Sequence, residues 1–410
     1  MKSVVHSRRS SLTIFLIVGI CIILIKCIER SNHSNNDYSI ENLEYGMFAG
    51  TQSCANCHKQ IYDNFIATGH FLTSEKSSLK NIKGSFEKGR NTFHYNSELV
   101  VAMEKSDSGL FQVEYINGVK TMERPFDITI GSGTRGQTYL SWQNNLLTQL
   151  PISYLTSVNE WANSPGDQNQ VYFDRPVNSK CLECHTTYAE VIPFRLENSP
   201  EEFDHKKMVY GVGCEKCHGP AAKHVEFQTQ NPKITIARYI INPGDFLRQQ
   251  SVDLCSLCHG GRIKSTKPSF SFTTGDTLKN YFIIDTSNNG SIDVHGNQYG
   301  LLAKSKCFTM SAMTCLTCHD PHTEERGNLK LYSQRCMTCH NNEHQSFCKL
   351  NTLDDATLRS NCIDCHMPKE FSKSIVLQLE DRKTPTAQLL RSHYITVYPN
   401  ATKKFILENP

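Results

Sequence analysis

Seven copies of one five-residue pattern, Cys-x-x-Cys-His, constrain this 410-residue chain more than any other feature. They are Cys54/Cys57/His58, Cys181/Cys184/His185, Cys214/Cys217/His218, Cys255/Cys258/His259, Cys315/Cys318/His319, Cys336/Cys339/His340 and Cys362/Cys365/His366. With 18 Cys and 17 His in the chain, chance would place about 0.03 copies. The spacing is that of covalent haem attachment. Two thiols add across the two porphyrin vinyls, one short helical turn spans them, and the next residue presents its imidazole to the iron as proximal ligand. A structural zinc site needs four ligands, usually two Cys pairs, and gives no reason for a His after every pair. A disulfide scaffold has no use for the His either.

The composition fits that reading. Only 38% of the residues are hydrophobic, against about 45–50% in an ordinary globular chain. Seven porphyrins would supply the missing apolar core, and the thioether links would restrict the unfolded chain as disulfides do. Disorder is not the explanation, because 20 Phe and 16 Tyr are present. The formal charge of +3 gives no basic face and excludes a nucleic-acid partner. The predicted fold class is therefore a mainly α or irregular multihaem cytochrome c: short helices and loops wrapped on seven covalently bound c-type haems, with a β-rich insertion.

Motif intervals set the organisation. Residues 1–28 read as a signal anchor or signal peptide: Arg8 and Arg9 precede an apolar run, Leu12–Ile25, with no small-residue cleavage site after it. Lipid on Cys21 or Cys27 is a weaker reading, since Ile20 and Lys26 precede them. All versions place the chain outside the cytoplasm, in a bacterial periplasm or envelope, held to the membrane by its N-terminal segment. Residues 29–45 read as a tether, 46–80 as a first-haem segment, 81–175 as a β-rich haem-free insertion, 176–370 as a six-haem core, and 371–410 as a C-terminal segment supplying a distal ligand. In the insertion, Asn91–Tyr95, Glu98–Met103, Leu110–Ile116 and Phe126–Ile130 are strand-like, with turns at Ser108-Gly109 and Asn117-Gly118. Gly131-Ser132-Gly133-Thr134-Arg135-Gly136 matches the dinucleotide fingerprint, but no helix or βαβ pattern follows, so it reads as a turn.

Ten histidines lie outside the motifs; His6 and His33 sit before or just beyond the apolar anchor run and are set aside. Eight remain for seven sixth positions on iron. His70, His224, His295, His322, His344 and His393 are the distal candidates, His205 is a weak one, and His94 in strand-like Phe-His-Tyr weaker still. His224 and His322 follow their own proximal His too closely to reach the opposite face, so each is assigned to a neighbouring haem. The count predicts six bis-His haems and one that is five-coordinate, weakly ligated, or completed by His205 or His94. Cys307 and Cys348 flank the fifth and sixth motifs and could form a disulfide in an oxidising compartment.

Gly50-Thr51-Gln52-Ser53-Cys-Ala-Asn-Cys-His with Ala67-Thr68-Gly69-His70, Val212-Gly213-Cys-Glu-Lys-Cys-His-Gly-Pro with His224, Met313-Thr314-Cys-Leu-Thr-Cys-His-Asp-Pro-His and Cys362-Ile-Asp-Cys-His-Met-Pro carry a resemblance. Over about residues 45–400 the chain resembles multihaem c-type cytochromes related to the tetrahaem cytochrome of nitrifier electron transport. The resemblance implies electron transfer, largely bis-His ligation and an extracytoplasmic location. Seven motifs and the β-rich insertion depart from that family. Two functions compete: an electron carrier between redox partner proteins, or from a quinol oxidase-type membrane donor, and a multihaem reductase of a small nitrogen or sulfur oxyanion, or of hydroxylamine, at one open haem. Such reductases commonly replace one proximal His by Lys, and none of the seven motifs here does, which favours the carrier. No catalytic residue is assigned.

Overall fold

The computed structural model describes residues 43–409 apart from 167–169, 194–198, 262, 285–291, 344–345 and 381–383. The N-terminal segment and His344 therefore lie outside the described residues. Among these residues no helix is long and apolar enough to cross a membrane.

The described chain builds its apolar core in a β module that interrupts the haem motifs. Strands β1 (Ser74–Lys76), β2 (Thr92–His94), β3 (Leu99–Ser106), β4 (Gly109–Ile116), β5 (Val119–Pro125), β6 (Ile128–Ile130), β7 (Gly136–Gln143), β8 (Leu146–Gln149), β9 (Ile152–Leu155), β10 (Glu160–Asn163) and β11 (Arg175–Pro176) follow one another. β2-β3-β4-β5 form an antiparallel meander. A second sheet runs β1-β6-β7-β8-β11, with β9 bridging β7 and β10. Turn chemistry fixes the register. Asn117 and Gly118 both take positive φ, 51° and 77°, as a two-residue primed hairpin turn requires, and Ile116 pairs with Val119 across it. Phe93, Met103, Phe126, Tyr139, Ile152 and Trp161 meet in the core between the sheets. Gly84 is confined by that core, because a Cβ there would enter the Trp161 ring.

A second cluster joins the module to the second motif. Ile128, Leu140 and Leu147 pack with Leu182, Tyr188, Phe203 and Met208, the last three on the β12 (Thr186–Val191) and β13 (Phe203–Tyr210) hairpin. Further hairpins pair β14 (Ile263–Ser265) with β15 (Phe282–Ile284) and β16 (Lys369–Leu377) with β17 (Thr386–Arg391). The mainly α or irregular expectation thus understates the strand content, which extends past the insertion to both flanks of the six-motif region. The strand runs missed are short and unevenly polar, with no clean alternation to announce them. Helices are short, and the longest among the described residues, Arg248–His259, carries the fourth motif at its C-terminal end.

Candidate functional site

Each described motif forms a tight turn or the end of a short helix, as in Ser179–His185, Cys214–His218 and Ile363–His366. All seven motif histidines line one continuous, mainly apolar cavity of about 2770 Å³. Small-molecule sites are about 300–1,000 Å³, so this space is built for several large groups. His70, His224, His295, His322 and His393 line it as well.

The imidazoles face one another in pairs. His70 and His259 have ring centroids 6.2 Å apart, His218 and His322 6.1 Å, and His319 and His393 6.3 Å. Two imidazoles on opposite sides of one metal should lie about 6.3 Å apart between centroids, from bonds of about 2.0–2.1 Å plus the ring radii. The three pairs therefore leave room for one iron each. His185 lies near His295, and His58 and His224 both lie near His218.

Hydrogen bonds set the ring orientations. The Nδ1 atoms of His218 and His366 contact the carbonyls of Ile241 and Thr396, both at 2.9 Å. That of His185 contacts the Thr73 hydroxyl at 3.1 Å, that of His259 the Gln298 amide oxygen at 3.2 Å, and that of His319 the Tyr332 hydroxyl at 3.3 Å. His340 reaches the Ser346 carbonyl at 3.3 Å. His224 and His393, two of the distal candidates, contact the Arg238 and Arg391 carbonyls, at 2.8 and 3.3 Å. An Nδ1–H donated to oxygen leaves Nε2 as the free lone pair, the tautomer a metal needs. Burial favours the neutral ring: it depresses His70 and His393 to about 4 and lowers His185, His218, His259, His295 and His319 below the ordinary value.

The motifs touch in a definite order. Thr51–Cys54 packs on Cys214–His218, Ser179–His185 on Arg248–His259, that helix on the fifth-motif turn Cys315–Thr317, and Leu329–Met337 on Ile363–His366. Thiols meet across the same joints: Cys54 with Cys214, Cys184 with Cys258, Cys255 with Cys315, and Cys336 with Cys362. Cys217 lies near Cys255 and Cys258, and Cys318 near Cys336 and Cys339. The seven motifs therefore run 1-3-4-5-6-7, with motif 2 branching from motif 4.

Acidic residues inside the motifs anchor distant segments, and sequence reasoning did not single them out. Buried Glu215 accepts hydrogen bonds from the backbone N–H groups of Ala49, Gly50 and Ala221, each at 2.8 Å. Glu183 accepts from the Phe270 N–H at 2.6 Å, and Asp364 pairs with Arg391 at 2.6 Å. Their signal was an acid at an interior motif position, where haem attachment itself demands none.

The weaker histidines are placed elsewhere. His205 stacks on Trp142 with centroids 3.9 Å apart and bonds the Asn144 carbonyl, and His94 pairs with Glu380 at 2.5 Å; neither lines the cavity. His205 sits on β13, whose hairpin packs against the β module, and this carries its ring away from the irons. Cys307 and Cys348 are both free, because Cys307 lies by Cys339 and Cys348 by Cys365, at different motifs.

A family model described as cytochrome c554 and c-prime matches residues 141–219, which hold the second and third motifs. The crystal structure of the outer cell wall cytochrome OcwA is similar in fold, with a TM-score of 0.52 and 16% identity, covering 87% of this chain and 81% of that one. An undecaheme cytochrome from the S-layer of Carboxydothermus ferrireducens aligns with a TM-score of 0.37 and 18% identity, over 88% of this chain and 53% of that one. No curated protein sequence matches the chain. The repeated attachment motif and the paired imidazoles thus belong to a chain that is similar to the cytochrome c554 and c-prime family over residues 141–219 and to an outer cell wall cytochrome in fold.

Proposed function

We propose that the chain carries seven c-type haems, one per motif, and conducts electrons outside the cytoplasm between redox partners, along a branched line of motifs. One observation carries this reading: all seven motifs open on one cavity, and each lies beside at least one other. Bound haem supplies one-electron ferric/ferrous chemistry. The chain supplies the rest. Fourteen motif cysteines fix the porphyrins, seven motif histidines are the proximal ligands, and His70, His322 and His393 are the distal partners of His259, His218 and His319. His295 serves His185 and His224 serves His58. The last two assignments rest on proximity and on the cavity they share. The apolar walls exclude water, so that an iron changes charge with little solvent rearrangement.

Thioether attachment belongs to the oxidising side of a membrane, and OcwA, similar in fold, is an outer cell wall cytochrome. Both support an extracytoplasmic site. Attachment to the membrane rests on residues 1–28, outside the described residues.

A second reading, reduction of a small nitrogen or sulfur oxyanion at an open iron, has its own support: among the described residues no histidine is left over to face His340 or His366. The test of the main reading is stoichiometry. Pyridine haemochrome and intact mass on purified protein should give seven haems per chain, and redox titration seven electrons. Fewer than seven haems would sink the proposal.

A further inference from the structure

The fingerprint-like loop Gly131–Gly136 is left unexplained by haem attachment. It closes the β6–β7 hairpin, and Gly131, Ser132, Thr134, Arg135 and Gly136 all line the haem cavity. The loop is wound as tightly as glycine permits. Gly131 and Gly133 take positive φ, 101° and 78°, and a Cβ at Gly131 or Gly136 would lie 2.7 or 2.6 Å from the Gly136 or Tyr154 carbonyl oxygen. So tight a loop reaches the cavity with one long side chain, that of Arg135.

Two more arginines meet it there. Arg135 donates to the Leu389 carbonyl at 3.4 Å, and its charge is felt together with those of Arg326 and Arg391. Arg326 is beside Gly69, where a Cβ would sit 2.9 Å from its Nη2, one residue from His70. Arg391 stands two residues before His393. All three arginines line the haem cavity, Arg326 next to the residue before His70, and Arg391 bonded to Asp364 and the Met367 carbonyl at 2.6 and 2.9 Å. Local carboxylates answer only part of this charge. Arg391 has Asp364 at 2.6 Å and Arg326 has Glu324 at 3.6 Å, while Arg135 pairs with no carboxylate among the described residues. An exposed guanidinium that opens on an apolar cavity and has no carboxylate partner is available to an anion, and a forked donor matches a carboxylate.

We propose that Arg135, Arg326 and Arg391 form one seat for haem propionates between the fourth and fifth motifs, and that the β module delivers Arg135 to it. The proposal rests on haem occupancy of those two motifs. Its functional content is a potential: positive charge beside a haem disfavours the ferric state. The haems at the branch point and its neighbour are then held more readily reducible than their bis-His ligation alone would make them.

The experiment is a spectroscopically resolved redox titration of the full-length holoprotein and its Arg135→Gln and Arg135→Lys variants, after peptide mapping of haem on 255–259 and 315–319. For Arg135→Gln, one or two midpoints should fall by at least a tenfold change in equilibrium constant, about 59 mV for a one-electron couple. The other midpoints should stay in place, and Arg135→Lys should recover most of the loss. Absence of haem from either peptide removes the seven-haem reading and this proposal together. Haem on both peptides with unchanged midpoints overturns the proposal alone, as does a shift seen in phosphate but not in a zwitterionic buffer, which would make the ligand a free anion. Should Arg135→Gln fail to assemble, Arg326→Gln carries the same expectation.

Discussion

At the scale of single residues, the histidines divide by what their surroundings allow. His70, His322 and His393 each line the cavity with the ring about 6 Å from a motif histidine, whereas His94 and His205 are engaged outside it, with Glu380 and Trp142. His393→Gly should turn one low-spin haem high-spin and raise carbon monoxide uptake by the reduced protein by one equivalent; EPR and gas titration measure both. His94→Gln and His205→Gln should leave both unchanged. For His94 the loss should be about 0.2–1 kcal/mol, since its ion pair is exposed to solvent. In the wild type, carbon monoxide binding near one per chain would support an open iron at the sixth or seventh motif. Binding near zero would leave a pure carrier. The motif residues stood out in the sequence because one fixed spacing recurs seven times. Distal ligands were only partly legible, because a distal histidine owes its place to distant chain rather than to its neighbours in sequence.

At the scale of elements, the joints between motifs are where sequence reading stopped. Glu215 lies inside the third motif and fastens the segment entering the first, with partners 165 and 166 residues away at Gly50 and Ala49. Glu215→Gln should weaken this joint by about 1–3 kcal/mol, as charge-assisted bonds to buried N–H groups are lost or reversed. Holoproteins with several cofactors rarely unfold in one step, so local opening is the measurable quantity. Hydrogen exchange at Ala49 and Gly50 should quicken markedly while that of β7 stays slow. The hairpins were legible where turn chemistry was explicit, at Ser108-Gly109 and Asn117-Gly118. They were invisible where a strand such as β5 is mostly exposed and polar.

At the scale of the whole molecule, charge and connectivity matter most. The apo chain is +3; with a haem on each of the seven motifs, fourteen propionates would bring the oxidised protein to about −4 and the reduced one to about −11 if all ionise. Reduction by a basic partner should therefore slow as salt is added, and stopped-flow rates across an ionic-strength series measure this. Rates independent of salt would remove charge steering. The buried joint between residues 49–54 and 213–221 also bears on how the protein is made. A chain that emerges N-terminus first exposes its first attachment site long before Glu215 and Cys214 exist to receive it. That site must be loaded on a segment without tertiary support, and it can dock only after the whole β module has followed. Ribosome order and spatial order thus part company at the first motif, so truncation before residue 214 should leave the leading haem peptide fully open to protease.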